Sequence, residues 1–275
     1  MKVPKEGQGI GASLLPILEK LPVLSLYAKT RGWHYVISWL QRFTGIWLFF
    51  ALMVHTYTLS SWQTPNVFNT DMKIPVRPIF LFLVWASSLV VSFHALNGGR
   101  LILYELFGKR SDEAMIRWTF GLSVTYAAIV GLLMIMKNQS VSAFFFWLIA
   151  FSLGTIAAYV VASRIWNKRH SVLWKLQRIS GAFLFITVPA YLLFSYLNPG
   201  EADGAQEAIA WIQNVFTRLV SLTLAIWTLY HAGYGFFSIV ADYTSSGITR
   251  AGITALIIVL IAVLAVSAFR LILSV

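Results

Sequence analysis

Leu40-Gln41-Arg42-Phe43-Thr44-Gly45 returns 136 residues later as Leu176-Gln177-Arg178-Ile179-Ser180-Gly181. His94-Ala95-Leu96-Asn97-Gly98 returns 137 residues later as His231-Ala232-Gly233-Tyr234-Gly235, and each histidine is followed after eleven residues by an acid, Glu105 or Asp242. Both histidines lie in long apolar runs. The chain is therefore read as a duplication that places one histidine of each copy within a membrane.

Composition supports that setting. Hydrophobic residues make up 58% and charged residues 11% of the 275, far from the balance of a soluble domain, so no water-soluble catalytic domain is expected. The absence of cysteine excludes a disulfide framework, an iron–sulfur cluster or a thiolate metal site carried by this chain. Any such centre belongs to a partner.

A bilayer core requires about twenty apolar residues per helix. Such runs predict seven transmembrane helices, over 36–60, 78–104, 118–136, 141–163, 174–197, 215–241 and 251–273. Residues 12–28 are also apolar, but Pro16, Glu19, Lys20 and Pro22 interrupt them, which favours an interfacial arm over an eighth span. The N-terminal stretch lacks the compact apolar core and small residues of a cleaved signal peptide. If the N-terminus is cytoplasmic, that side carries sixteen of the 21 Lys and Arg residues, and the other side carries Lys73, Arg77, Lys137, Arg218 and Arg270. This bias predicts a cytoplasmic N-terminus and an outer C-terminus in the cytoplasmic membrane. The net charge of +11 then reflects topology and contact with anionic lipid or an acidic partner surface, without nucleic acid.

An all-α integral membrane fold follows. Residues 1–35 form an arm, 36–137 a first three-helix repeat, 138–170 a linking helix and cytoplasmic loop, and 171–275 a second repeat. The linking helix makes the repeats parallel, because without that crossing the second would enter the membrane inverted. His94 and His231 then lie at one depth, about 16 Å from the acid at the inner end of each helix. Two imidazoles at one depth are what a haem b needs from opposite sides of its plane, so His94 and His231 are the candidate axial ligands of the iron. Gly98 and Gly235, one turn away on the same face, would let the macrocycle approach the backbone. Arg42, Arg100 and Arg178 share a layer nearer the cytoplasm and are candidates for the propionates. The ordinary structural reading is that the histidines bond across helices and the glycines serve close packing. The duplication weighs against it, and an ionisable group inside a membrane is functional by default.

Ser38-Trp39-Leu40-Gln41-Arg42-Phe43-Thr44-Gly45 resembles the Ser-x-x-His-Arg-x-Ser/Thr-Gly start of the larger membrane anchor of succinate dehydrogenase, and His94-x-x-x-Gly98-x-Arg100 resembles that subunit's haem-ligand motif. His231-Ala232-x-x-Gly235 through Ala241-Asp242-Tyr243 is similar to the smaller anchor. The chain thus resembles both anchors of a succinate dehydrogenase or fumarate reductase (complex II) fused into one cytochrome b subunit. The resemblance implies electron transfer between a dicarboxylate and a membrane quinone. A flavoprotein and an iron–sulfur subunit would dock on the cytoplasmic face, with the dicarboxylate chemistry outside this chain and room for an oligomer of the whole complex. It implies that Ser38, Arg42 and Tyr243 line the quinone head-group site, with Asp242 nearby. A hydroxyl, a guanidinium and a phenol are suitable donors to quinone oxygens. Each also has an ordinary reading, Arg42 and Tyr243 as interfacial anchors and Ser38 as a helix-start residue.

The sequence departs from the family at two places. Gln41 stands where the family usually has histidine, so an imidazole contact from that position is not expected. In the two-haem, single-chain branch of the family, a further histidine pair lies nearer the outer face. Here Gly45 is followed ten residues later by His55, but Gly181 by Tyr191. Only half of that second site is present, so one haem is favoured over two, and His55 is expected to be a hydrogen-bonding residue that can pair with Tyr191. Two other readings are open. One is the haem b subunit of a different quinone-linked respiratory complex. The other is a proton-coupled transporter with His55, His94 and His231 as relay; against it, Pro189 has no partner in the first repeat.

Overall fold

A computed structural model describes residues 32–60, 78–108, 112–136, 140–198, 210 and 213–273. The expected interfacial arm over 12–28 lies outside the described residues. Seven helices emerge: α1 (Trp33–Ser60), α2 (Pro78–Phe107), α3 (Asp112–Met136), α4 (Ala143–Ile165), α5 (Val172–Leu197), α6 (Val215–Tyr243) and α7 (Gly247–Leu273). All seven are long and apolar enough to cross a membrane, and no strand occurs among the described residues. Several begin earlier than the apolar runs that predict them, α3 by six residues. Twenty-five helical residues span about 37 Å, whereas the hydrocarbon core is about 30 Å, so a polar residue such as Arg117 fits near the helix end.

Local chemistry explains the helix ends. Ser171 caps α5 by accepting the Trp174 N–H at 3.2 Å, and the Asn214 side chain accepts from Phe216 and Thr217 at the start of α6. Such caps satisfy donors that a helix leaves unpaired. Gly108 ends α2 with φ +66°, while its N–H bonds to the Tyr104 carbonyl at 3.0 Å. Only glycine adopts that backbone geometry without strain.

Helix packing obeys an approximate two-fold exchange of α1–α3 with α5–α7. The α1/α2 contact is matched by α5/α6, α2/α3 by α6/α7, α2/α5 by α6/α1, and α3/α5 by α7/α1. The inner helices are α1, α2, α5 and α6, with α3 and α7 flanking them. Helix α4 packs chiefly on α5, breaking the symmetry. There Ala158, Val161 and Ile165 bury against Ile179, Ala182 and Phe183, and Trp147 against Ala190 and Phe194.

The outer surface is apolar. Phe50, Tyr57, Trp118, Phe145 and Ile258 are each more than half exposed, while Thr44, Ser88, Asn97, Ser123 and Ser180 are buried. In lipid, apolar side chains gain little by facing inward, and small or polar residues mediate helix contacts instead. Most of the buried hydroxyls donate to a carbonyl one turn earlier in their own helix, as Ser123 does to Thr119 at 2.7 Å, which satisfies their donor locally.

Candidate functional site

His94 on α2 and His231 on α6 face each other across the approximate two-fold. Their ring centroids are 6.4 Å apart and their planes are nearly perpendicular, at 89°. A metal–imidazole bond is about 2 Å and the ring centre lies roughly 1 Å further back, so two imidazoles on one metal have centroids roughly 6 Å apart. The observed separation fits an iron between them. Among the described residues no group of three His, Asp or Glu side chains gathers around a metal position. Two protein ligands are the number a bis-histidine haem requires.

Both rings are held by the same contacts. Thr44 Oγ1 lies 3.2 Å from His94 Nδ1, and Ser180 Oγ lies 3.2 Å from His231 Nδ1. Each hydroxyl already donates its proton to a backbone carbonyl, Thr44 to Leu40 at 2.7 Å and Ser180 to Gln177 at 3.0 Å. It therefore accepts from the imidazole. With the hydroxyl protons on those carbonyls, the arrangement assigns the hydrogen to Nδ1 and leaves the Nε2 lone pair for a metal. A Cβ added to Gly45 or Gly181 would lie 3.1 Å from the Cε1 of the facing histidine, so these glycines allow the close approach.

Gln41 and Gln177 complete the cradle. Each donates its side-chain amide to the backbone carbonyl of the neighbouring histidine, Gln41 to His94 and Gln177 to His231, both at 3.2 Å. The nearest atom to the absent Cβ of Gly98 is Gln41 Nε2, and to that of Gly235, Gln177 Nε2. The space over these glycines, expected to admit a macrocycle, is taken by the two amides, because α1 and α5 come close enough to reach the histidine carbonyls. The repeat contains this signal, because glutamine and a hydroxyl residue recur in both copies, whereas comparison with the family motif shows Gln41 only as a replaced histidine. The cradles differ in one respect. Asn97 donates to Gln41 Oε1 at 2.8 Å and accepts from Arg100 Nε at 2.8 Å, whereas Gln177 Oε1 is buried without a hydrogen-bond partner; Tyr234 occupies the place of Asn97.

One end of the bundle collects the polar residues. A cavity of about 400 Å³ is walled there by His34, Ser38, Arg42, Arg100, Arg178 and Asp242. Its ion pairs cross between repeats. Arg42 of the first pairs with Asp242 of the second at 3.0 Å, and Arg178 of the second binds Glu105 of the first through two bonds of 2.9 and 2.7 Å. Reciprocal exchange of this kind is characteristic of a two-fold interface. Arg42 also donates to the Ser38 carbonyl and hydroxyl, so Ser38 Oγ accepts from it and retains its own proton to donate. The Tyr243 ring lies 5.7 Å from the Arg42 guanidinium, within cation–π range; it is 66% exposed and stands outside the cavity wall. Arg100 is buried and bonds to Asn97 and Tyr104.

At the opposite end, Tyr191 OH lies 3.5 Å from His55 Nε2, with the rings edge-on. No second imidazole faces His55 among the described residues.

The chain matches the model of the succinate dehydrogenase/fumarate reductase transmembrane subunit in two segments, 20–135 and 158–269, one in each repeat. It is similar to the succinate dehydrogenase 2 membrane subunit SdhC of Mycobacterium tuberculosis (strain ATCC 25618 / H37Rv), with 30% identity over 120 residues. That stretch is 40% of this chain and 85% of the relative, which is therefore about half as long as this chain. No solved structure matches.

Proposed function

Since the chain belongs to the family of succinate dehydrogenase/fumarate reductase transmembrane subunits, we propose that it holds one haem b between His94 and His231 and passes electrons between an iron–sulfur subunit and membrane quinone. The observation that carries this reading is the pair of facing imidazoles, 6.4 Å apart, each with Nδ1 bonded to a hydroxyl and Nε2 available. A bound haem would serve as a one-electron carrier. The dicarboxylate chemistry resides in the partners, a flavoprotein and the iron–sulfur subunit.

The reading takes residues 36–137 and 171–275 as the two repeats and places the Arg42/Arg178 end at the cytoplasmic face, where the partners dock. Arg42, Arg100 and Arg178 supply positive charge on the propionate side. Arg178 is already held by Glu105, so it acts mainly through charge, while Arg42 bonds to Ser38 and Asp242 through its two terminal nitrogens and retains further N–H donors, because a guanidinium carries five. In the quinone site the Ser38 hydroxyl donates to a carbonyl oxygen. Arg42 is steered towards that oxygen by Asp242, and Tyr243 closes the outer edge. Asp242 is half-exposed and connects the site with solvent, the source of the two protons that quinone reduction consumes.

The direct test is a reduced-minus-oxidised visible spectrum of the purified complex with haem extraction. A b-type α-band and one haem per chain are expected. Absence of pigment would reject the electron-carrier role, and two haems per chain would make His55 a ligand. The hydroxyls provide a finer prediction. Thr44→Val or Ser180→Ala removes the acceptor of an imidazole Nδ1–H and so lowers the basicity of that ligand. The ferric state should lose stability relative to the ferrous state, raising the midpoint potential in a redox titration while the haem is retained. An unchanged or lowered midpoint would show that these hydroxyls do not tune the ligands.

A further inference from the structure

The duplication extends beyond the short motif. His34, Val36, Leu40, Gln41 and Arg42 correspond to His170, Val172, Leu176, Gln177 and Arg178 at the same offset, and Asp242 corresponds to Glu105. The Ser38 side of the cavity, which itself reaches Arg178, should therefore have a counterpart on the side of His170 and Glu105. At the position equivalent to Ser38, that counterpart carries Trp174.

The indole occupies the counterpart. Its ring stacks on His170 with centroids 4.0 Å apart, and the Arg178 guanidinium lies 4.4 Å from it on a cation–π contact. Arg178 is simultaneously fixed by its two bonds to Glu105, and Lys168 donates to the Glu105 carbonyl at 2.9 Å. In the first repeat the same register holds a serine, and the space stays open as the cavity of about 400 Å³. The indole is a planar ring system of about the size of a quinone head group, and it lies over the guanidinium at cation–π distance.

We propose that the duplication built two head-group cradles and that Trp174 fills the second, so that the anchor takes quinone on the Ser38 side alone. Trp174 is thus a specificity-determining residue that makes a two-fold scaffold one-sided. The inference rests on the quinone site proposed above. The second cradle keeps the guanidinium and carboxylate but has Leu106 in place of Tyr243, so an opened copy lacks the phenol. Deleting a large side chain leaves a cavity whose walls relax only in part.

The test uses the whole assembled complex, an azido-substituted ubiquinone and an azido-substituted menaquinone as photolabels, and peptide mapping of the product. In the wild type, label is expected on segments that wall the cavity, among them those bearing Ser38 and Asp242, and none on segment 170–175, which bears His170 and Trp174. Ser38→Trp should remove it. Trp174→Ser should retain it and add label on segment 170–175, which bears His170. If the serine variant does not assemble, Trp174→Leu keeps an apolar contact with the α4/α5 core, and the same new label is expected. No new label in an assembled Trp174 variant, with the original lost in Ser38→Trp, overturns the plug while sparing the quinone site. Label that persists in Ser38→Trp rejects the quinone site, and with it the premise of this inference.

Discussion

Replacing either His94 or His231 by alanine is expected to abolish the bis-imidazole spectrum. Even a lost second-shell partner typically costs 10–100-fold in metal affinity, and an axial ligand contributes more. The two cradles are built alike, with a hydroxyl on Nδ1 and a glutamine on the carbonyl, so neither ring can replace the other. Haem content per chain should fall to near zero in both variants, while immunoblots of the membrane fraction still detect the chain. A wild-type spectrum in either variant would refute the ligand assignment.

Arg42→Leu carries the second large effect. The guanidinium donates to Ser38 and to Asp242, and a hydrogen bond to a charged group contributes about 1.5–3 kcal/mol. Loss of that amount from the transition state lowers a rate by about tenfold to a hundredfold. Succinate-to-quinone activity should fall by that factor, and succinate oxidation by an acceptor that takes electrons from the soluble subunits should persist. Tyr243→Phe removes one exposed hydroxyl and should reduce quinone activity only a few-fold, because a neutral hydrogen bond contributes about 0.5–1.5 kcal/mol. Parallel loss of both activities would indicate failed assembly and remove the support for a local role of Arg42.

Much of the candidate site was visible in the repeat because a duplicated helix keeps its register. When two copies retain Gln, Arg, a hydroxyl residue and Gly at equal spacing, those side chains emerge on equivalent faces. His94 and His231 could therefore be paired from spacing alone. The partners of the other residues were less legible. In sequence Glu105 and Asp242 mark the inner helix ends, and the family resemblance adds Asp242 to the quinone site, yet each pairs with the arginine of the opposite repeat. Sequence separation holds no trace of that crossing, which depends on α2 packing on α5 and α6 on α1. Trp174 carries no signal on its own, because a tryptophan near a helix end is ordinary in a membrane protein. Its meaning lies in the serine at the equivalent position.

By itself, the sequence determined the membrane setting, the seven spans, the duplication and the two histidines of equal depth, since hydropathy, helix rise and a repeated register are properties of the chain taken in order. Tertiary structure alone decided which faces meet. Lipid is as apolar as leucine, so a transmembrane helix lacks the one-sided hydrophobic pattern that orients a helix in water. Close packing and polar contacts orient it instead. The crossed ion pairs, the glutamine bonds to both histidine carbonyls, the contact between His55 and Tyr191, and the indole filling the second cradle all depend on that choice of neighbours.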